Sequence, residues 1–472
     1  SVGNRLAYLD EPNNPWLMDR GSAKLITPQW IGEMGVEAAI VLAIDDMSGD
    51  GQHFRNYLSP IIDRLQDIDG RGPVSITCNQ PEPAHPNMQW FLQQGVSLET
   101  HTITHPCPLL QRHRFRRAVI DYHGCVDLLA QIPNNRSVGF RFGCMDGQNT
   151  PSPRAYAEIL NGVSPKGHFM SMSTSVGMVF TTEDPQLPKA LFDPNMGGAN
   201  RFSRYLMTGF VNYLEDYPYP YVIGNKILEL PFVYPNDYTG QALYGAQNPI
   251  MIADYKAAVD ATVAKRGAVS LCFHAGEWMR NDQMVEVVDH ADHTHGKKVK
   301  FLNMPELHDL MVKNLLGGHP LRDENGEDNG VRLLDLNADG YMDVVIGNAN
   351  AKLTRIWDPS TSTWKESSFP WRIDGNVRFG IFDESGLAGM IAVHEAAVMG
   401  WRFDGQEWIY EKSLGRSEKI APQTNGADGG ARLLDLNGDG ICELVVGMTG
   451  HSVAFERSED GWKKLPFALP EG

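Results

Sequence analysis

Val36-Glu-Ala-Ala-Ile-Val-Leu-Ala-Ile-Asp-Asp46 decides the fold of the first part of this chain. A short, nearly unbroken apolar run suits a strand covered on both faces, and parallel sheets provide that cover. Similar runs follow at 73–79, 96–99, 138–142, 169–173, 227–232, 268–273 and 298–302. Helical-period segments, among them 54–66, 112–131, 152–160, 253–265 and 281–290, lie between most of them. This alternation predicts an α/β domain over residues 1–316, a distorted (β/α) barrel. The stretch 181–220, interrupted by Pro185, Pro188, Pro194 and Pro218, reads as a long loop or insertion.

The strand ends point to one chemistry. Ile44 runs into Asp45 and Asp46, and the strand beginning at Val96 runs into His101-Thr-Ile-Thr-His105. The strand at Val138 delivers Arg141, and the one at Ala268 delivers His274. In parallel β/α folds the loops at that edge share one mouth, where catalytic groups collect. Two imidazoles and one carboxylate supply three ligands and leave a fourth position for water, the open coordination of hydrolytic metal sites. Thr102, Ile103, Thr104 and Pro106 disfavour a helix, so a tight strand-to-loop turn is expected there. A helix cap would account for Asp45-Asp46 taken alone, and a satisfied core histidine for His274 taken alone.

Together, Ala43-Ile-Asp-Asp46, His101-Thr-Ile-Thr-His105, Arg141, Asp237 and Leu271-Cys-Phe-His274 resemble, in order, the five motifs of the polysaccharide deacetylase family of carbohydrate esterases. The resemblance covers roughly residues 36–305. It implies Asp45 as general base, with Asp46, His101 and His105 holding a divalent transition metal, zinc first among candidates. It further implies His274 as general acid, and Arg141 with Asp237 as a supporting pair that orients the base. The substrate implied is an acetylated polysaccharide. Three positions depart from the family pattern. Met47 replaces a glycine, Phe142-Gly143-Cys144 replaces proline and an aromatic whose amide helps hold the oxyanion, and Tyr238 replaces a tryptophan.

A polar, Gly-rich stretch at 317–330 reads as a linker, and a repeat follows over 331–472. Arg332-Leu-Leu-Asp-Leu-Asn-Ala-Asp-Gly340 recurs as Arg432-Leu-Leu-Asp-Leu-Asn-Gly-Asp-Gly440, with a degenerate copy from Arg378 between them. Three strand-rich units of this spacing predict an all-β, propeller-type domain of about three blades. Asp335, Asn337, Asp339, the Tyr341 carbonyl and Asp343 stand at alternate loop positions, with Gly340 at the sharp turn. Asp435, Asn437, Asp439, the Ile441 carbonyl and Glu443 repeat the set. Oxygen-only ligands at that spacing select a hard cation such as calcium. The alternative is an Asx-rich hairpin without metal. Both copies resemble FG-GAP repeats, which imply calcium-bearing blades. The middle copy has Ile381 for the first acid and Ser385 for the third, so no ion is expected there.

With 472 residues, two or more cores are expected. A net charge of −17 argues against nucleic acid as a partner, since phosphate binding needs basic surface. No apolar run is long enough to cross a bilayer. Calcium loops imply an extracytoplasmic setting: secreted, periplasmic or on the cell surface. The six cysteines show no CxxC pair and no disulfide framework, leaving the redox compartment open. Arg112, Arg114, Arg116 and Arg117 follow the histidine motif; they read as a solvated helix face or as a cationic rim that recruits an anionic glycan. His290, His293 and His295 read as a helix end rather than a second metal site. Three rivals stand beside deacetylation. They are a non-haem iron oxygenase using the same two-His-one-carboxylate set, an amidase on a small or cyclic amide, and a catalytically inactive glycan-binding protein.

Overall fold

The computed structural model describes residues 4–6, 18–110, 114–146, 155–206, 212–276, 278–394, 397–415, 430–448 and 451–466. Two compact units form, one from residues 12–318 and 322–327, the other from 1–11, 319–321 and 328–472. Among the described residues no helix is long and apolar enough to cross a membrane.

The first unit is built on β1 (Ala38–Gly49), β2 (Val74–Pro81), β3 (Ser97–Thr100), β4 (Gly139–Phe140), β5 (Met172–Ser173) and β6 (Gly177–Val179). To these are added β7 (Leu214–Glu215), β8 (Tyr221–Ile223), β9 (Ile227–Glu229), β10 (Phe232–Val233), β11 (Ala268–His274) and β12 (Val299–Phe301). The hydrogen-bonded order is β7-β6-β10-β11-β1-β2-β3-β4-β5-β9-β8, with β12 beside β1. The quoted apolar run lies at the centre. Ala38 to Ile44 are all buried, because β2 and β11 flank the strand in parallel register. The helices are α1 (Gln52–Asp69), α2 (Pro86–Gln93), α3 (Phe115–Leu129), α4 (Asp237–Tyr244), α5 (Pro249–Lys265), α6 (Asn281–His295) and α7 (Met304–Leu310). On α1 the buried positions Phe54, Tyr57, Leu58, Ile61, Ile62 and Leu65 recur at three- and four-residue spacing, which makes one apolar stripe.

The sheet curls. β5 and β6 lie on opposite arms, yet only Thr174, Ser175 and Val176 separate them, and three residues span at most about 10 Å. β9 and β10 cross between the same arms through Leu230 and Pro231. The arms therefore approach by chain crossover, and no strand ladder joins them among the described residues. Each crossover ends in its own ladder: Leu230 N–H donates to Ser173 O at 2.8 Å beside the β5–β9 pair, and Phe232 N–H to Val176 O at 3.0 Å beside the β6–β10 pair. Glu229 adds a carboxylate oxygen that accepts the Ser175 and Val176 N–H groups at 2.7 and 2.8 Å. Glu99 does the same for Val138 and Gly139 at 2.8 and 2.7 Å. Burial pushes both carboxyls up to about 7 against these hydrogen bonds.

In the second unit three four-stranded antiparallel meanders follow one another: β13 to β16 (331–334, 343–347, 352–358, 363–368), β17 to β20 (377–381, 388–394, 397–403, 408–410) and β21 to β24 (431–434, 443–448, 451–458, 461–464). One apolar cluster joins the first two sheets through Leu336, Phe369, Phe379 and Phe403, and another joins the last two through Phe382, Ile391, Leu433 and Leu444. This is a row of small antiparallel sheets. The unit also takes in the N-terminal residues Asn4, Arg5 and Leu6, a long-range pairing that the sequence pattern did not signal.

The polar stretch expected as a linker is partly packed. Arg322 is 2% exposed and donates to the carbonyls of Leu160, Met170, Asn161, Gly162 and Gly326. A guanidinium can satisfy several backbone acceptors at once, so a charged residue in a Gly-rich run became an anchor.

Candidate metal centre

Asp45 and Asp46 lie inside β1 rather than past its end, and the strand continues to Gly49. Alternation would send adjacent side chains to opposite faces. The register with β2 breaks between Ile44 and Met47, and Asp46 adopts φ +77°. This bulge turns Asp46 to the mouth while Asp45, opposite His274 in register, stays 2% exposed beneath it. Left-handed backbone also occurs at Thr102 (φ +71°), His105 (φ +49°) and Cys144 (φ +56°), so the loops around the site hold costly conformations.

Asp46 Oδ1 lies 3.4 Å from His101 Nε2 and 3.3 Å from His105 Nε2. Ligands about 2.1 Å from a tetrahedral ion are about 3.4 Å apart, the spacing that both imidazoles keep from Asp46, and all three ligand atoms lie within 4.8 Å of one another. His101 Nδ1 lies 2.8 Å from the Arg141 carbonyl; donation there leaves Nε2 as the free lone pair. Burial, then the neighbouring His101, lower the His105 pKa, which favours its neutral, ligating form. Burial would raise the Asp46 carboxyl, but the His101 hydrogen bond and the surrounding imidazoles hold it well below the usual range. The donor set fits a divalent ion.

Beneath it, Asp45 Oδ1 accepts from Arg141 Nη1 at 2.9 Å and Thr77 Oγ1 at 2.6 Å, and the Cys272 thiol approaches Oδ2 at 3.4 Å. Arg141 is fully buried, fixed also by Thr174 O (3.0 Å) and Ser270 Oγ (2.6 Å). Burial would raise the Asp45 pKa, but Arg141 and the imidazoles of His101 and His274 bring it below the ordinary value. Arg141 and Asp237 do not act as one pair, a correction to the expectation above. Arg141 binds Asp45, whereas Asp237 binds His274, accepting its N–H at 2.7 Å and lying 2.8 Å from Nδ1. The side chains of Arg141 and Asp237 thus sit under different catalytic candidates. His274 Nε2 faces Asp46 Oδ2 at 3.7 Å. Burial lowers the His274 pKa, yet Asp237, Asp45 and Asp46 together push it up to about 9.

Trp278 packs edge-on against His274 at 4.9 Å and against Tyr238 at 5.3 Å between ring centroids. Sequence reading passed over Trp278, whose signal was its place four residues after His274. The Phe142 amide, directly after Arg141, donates to Ser175 Oγ at 3.0 Å. A Cβ at Gly143 would lie 3.2 Å from the Pro106 carbonyl and 3.3 Å from the His105 ring, so a larger residue there would press on the metal ligand. Cys107 and Cys144 form a disulfide, which ties the histidine loop to the loop after Arg141. No spacing rule flags a pair 37 residues apart.

Among the described residues a second cluster, Asp260, His290 and His295, brings metal-ligating atoms together. There Asp260 Oδ1 lies 2.8 and 2.6 Å from the two imidazoles, ordinary hydrogen-bond distances, and His293 takes no part. In the second unit the carboxylates of the two Asx-rich loops do not form such a group. Asp335 accepts the Asp339 and Gly340 N–H groups, and Asp435 those of Gly438 and Gly440. Asp339 and Asp439 accept from Tyr341 and Ile441, while Asn337 and Asn437 donate to those same aspartates. Asp343 accepts from Leu336 and Trp357, and Glu443 from Leu436. Burial, with Asp339 and Asp335 nearby, pushes the Asp343 carboxyl up to about 8. Of the cationic-rim candidates, Arg112 lies outside the described residues.

No family model matches the chain, and no curated protein matches it. Solved structures give distant likenesses. The Puue allantoinase is 11% identical at TM-score 0.40, covering 61% of this chain and 93% of its own. A Pseudomonas aeruginosa PAO1 protein described as a polysaccharide deacetylase is 13% identical at 0.38, covering 61% and 94%. The Bacillus subtilis peptidoglycan deacetylase PdaC is 10% identical at 0.30, covering 58% and 92%. With TM-scores below 0.5 none of these carries the reading of the site, which rests on its geometry.

Proposed function

We propose that this chain is a metal-dependent hydrolase that removes acetyl groups from a polysaccharide, with zinc held by Asp46, His101 and His105. The observation that carries the reading is the pair of 3.3 and 3.4 Å separations among those three ligand atoms, with Asp45 and His274 beside them. A divalent ion bound there supplies Lewis acidity and lowers the pKa of its hydration water towards ~7. Asp45, oriented by Arg141 and Thr77, takes the proton of the attacking water. His274 holds a proton at Nε2, with Asp237 fixing Nδ1, and passes it to the departing sugar oxygen or nitrogen. Tyr238 and Trp278 offer aromatic surface for a sugar face. An acid-base pair on either side of a three-ligand ion favours hydrolysis over iron oxygenation, in which Asp45 and His274 would have no role.

The Cys107–Cys144 bond supports an extracytoplasmic setting, where disulfides persist. Calcium in the 335–343 and 435–443 loops belongs to the same reading, since a cation would relieve the crowded carboxylates around Asp343. The test is acetate release from a panel of acetylated glycans by the chain stripped of metal and then reloaded with zinc. Release that returns with zinc supports the reading. Release unaffected by stripping, or hydrolysis confined to small cyclic amides, overturns it.

A further inference from the structure

A cavity of about 350 Å³ opens beside the metal ligand His105. That volume is within the range of roughly 300–1,000 Å³ typical of small-molecule sites. Its wall carries Arg114 and Arg117, both exposed. Six other arginines of this unit are ion-paired: Arg64 to Asp289 and Asp292, Arg71 to Glu306, Arg136 to Asp309, Arg201 and Arg204 to Asp254, and Arg266 to Glu37. Neither Arg114 nor Arg117 has a carboxylate partner among the described residues. In a chain of net charge −17, two uncommitted guanidiniums beside one cavity make a local field opposite in sign to the whole. The one acid on the wall is Asp121, 6% exposed, whose carboxylate already accepts the Thr104 N–H at 3.1 Å. Leu109 and Ala118, both buried, form the apolar part of its lining.

We infer that this cavity is an anion subsite, in which Arg114 and Arg117 bind the carboxylate or sulfate of a charged sugar unit next to the one that loses its acetyl group. The inference rests on the deacetylase reading for the identity of the neighbouring sugar, and on the cavity alone for the anion. A guanidinium presents paired N–H donors that match two oxyanion oxygens, which makes Arg rather than Lys the suited residue. The subsite would restrict the enzyme to acidic glycans such as acetylated uronates or sulfated chains.

The test is calorimetric binding to the full, zinc-loaded chain, with trigalacturonate, a sulfated trisaccharide and neutral cellotriose as probes. At least one charged probe is expected to bind about tenfold tighter than cellotriose, the preference shrinking as salt screens it. Arg114→Ala and Arg117→Ala should each cut that preference about tenfold, in line with loss of a charged hydrogen bond. Lys189→Ala, which removes an exposed cation elsewhere, should leave it intact. Preference for trigalacturonate identifies the carboxylate, and preference for the sulfated probe identifies sulfate. Equal affinity for charged and neutral probes, or a preference insensitive to both arginine changes, overturns the subsite. Acetate release, measured separately, tells the two readings apart. Arginine-dependent anion binding without release from any glycan would keep the subsite and discard the deacetylase.

Discussion

Arg141→Met tests the pairing on which the site is built. Both members of the Arg141–Asp45 pair are almost wholly buried, their side chains 0% and 3% exposed, so solvent does not screen the contact. Removing one member of such a pair typically costs about 3–5 kcal/mol, because the other charge stays buried without compensation. Arg141→Met should therefore destabilise the unit of residues 12–327 by that order, and Asp45→Asn should do so through the stranded guanidinium. The double variant should cost at least about 2 kcal/mol less than the sum of the two. Chemical unfolding of the metal-stripped chain measures this, with separate transitions allowed for the two units. A sign change with pH accompanies it. In the wild type the folded Asp45 pKa is depressed, so its contribution is present above the unfolded value and lost as pH falls through the folded one. In Arg141→Met the largest lowering influence is gone and only the imidazoles of His101 and His274 oppose burial, so the folded Asp45 pKa should rise and the variant's deficit should shrink as pH is lowered. Strictly additive single costs, or a deficit that grows in acid, would refute the buried-pair account.

Asp45→Asn and His274→Ala should each lower turnover by about 10² to 10⁴ with zinc still bound, whereas His101→Ala should lose the metal itself, as elemental analysis would report. Glu99 and Glu229 have folded pKa values raised to about 7, so they favour the folded state below the unfolded value of 4.5 and lose that contribution as pH rises towards 7. Glu99→Gln should flatten this fall, worth at most about 3 kcal/mol at 1.36 kcal/mol per pKa unit, in unfolding free energies measured from pH 4.5 to 7. Reducing the bond between Cys107 and Cys144 releases a loop of 37 residues and should cost about 3–4 kcal/mol of unfolding free energy by chain entropy; the freed His105 loop should also weaken zinc affinity in competition with a chelator. Calorimetry should detect two calcium ions, with Asp335→Ala and Asp435→Ala each removing one.

Much of the frame could be read along the chain. The apolar run before Asp45, the histidine pair four residues apart and the duplicated Asx-rich loops are local features, carried by spacing and side-chain chemistry that neighbours do not alter. Strand positions followed from burial, which demands apolar runs wherever the sheet is covered on both faces. Partner choice was not local. The bulge that turns Asp46 outward depends on β2 lying alongside β1. Which carboxylate Arg141 takes, and that Asp237 serves His274 instead, depends on strands up to 229 residues apart meeting at one mouth. The Cys107–Cys144 bond, the Trp278 wall and the uncommitted arginines beside His105 arise the same way. A residue's type states what it can bind, and only the closed chain brings the other group within reach.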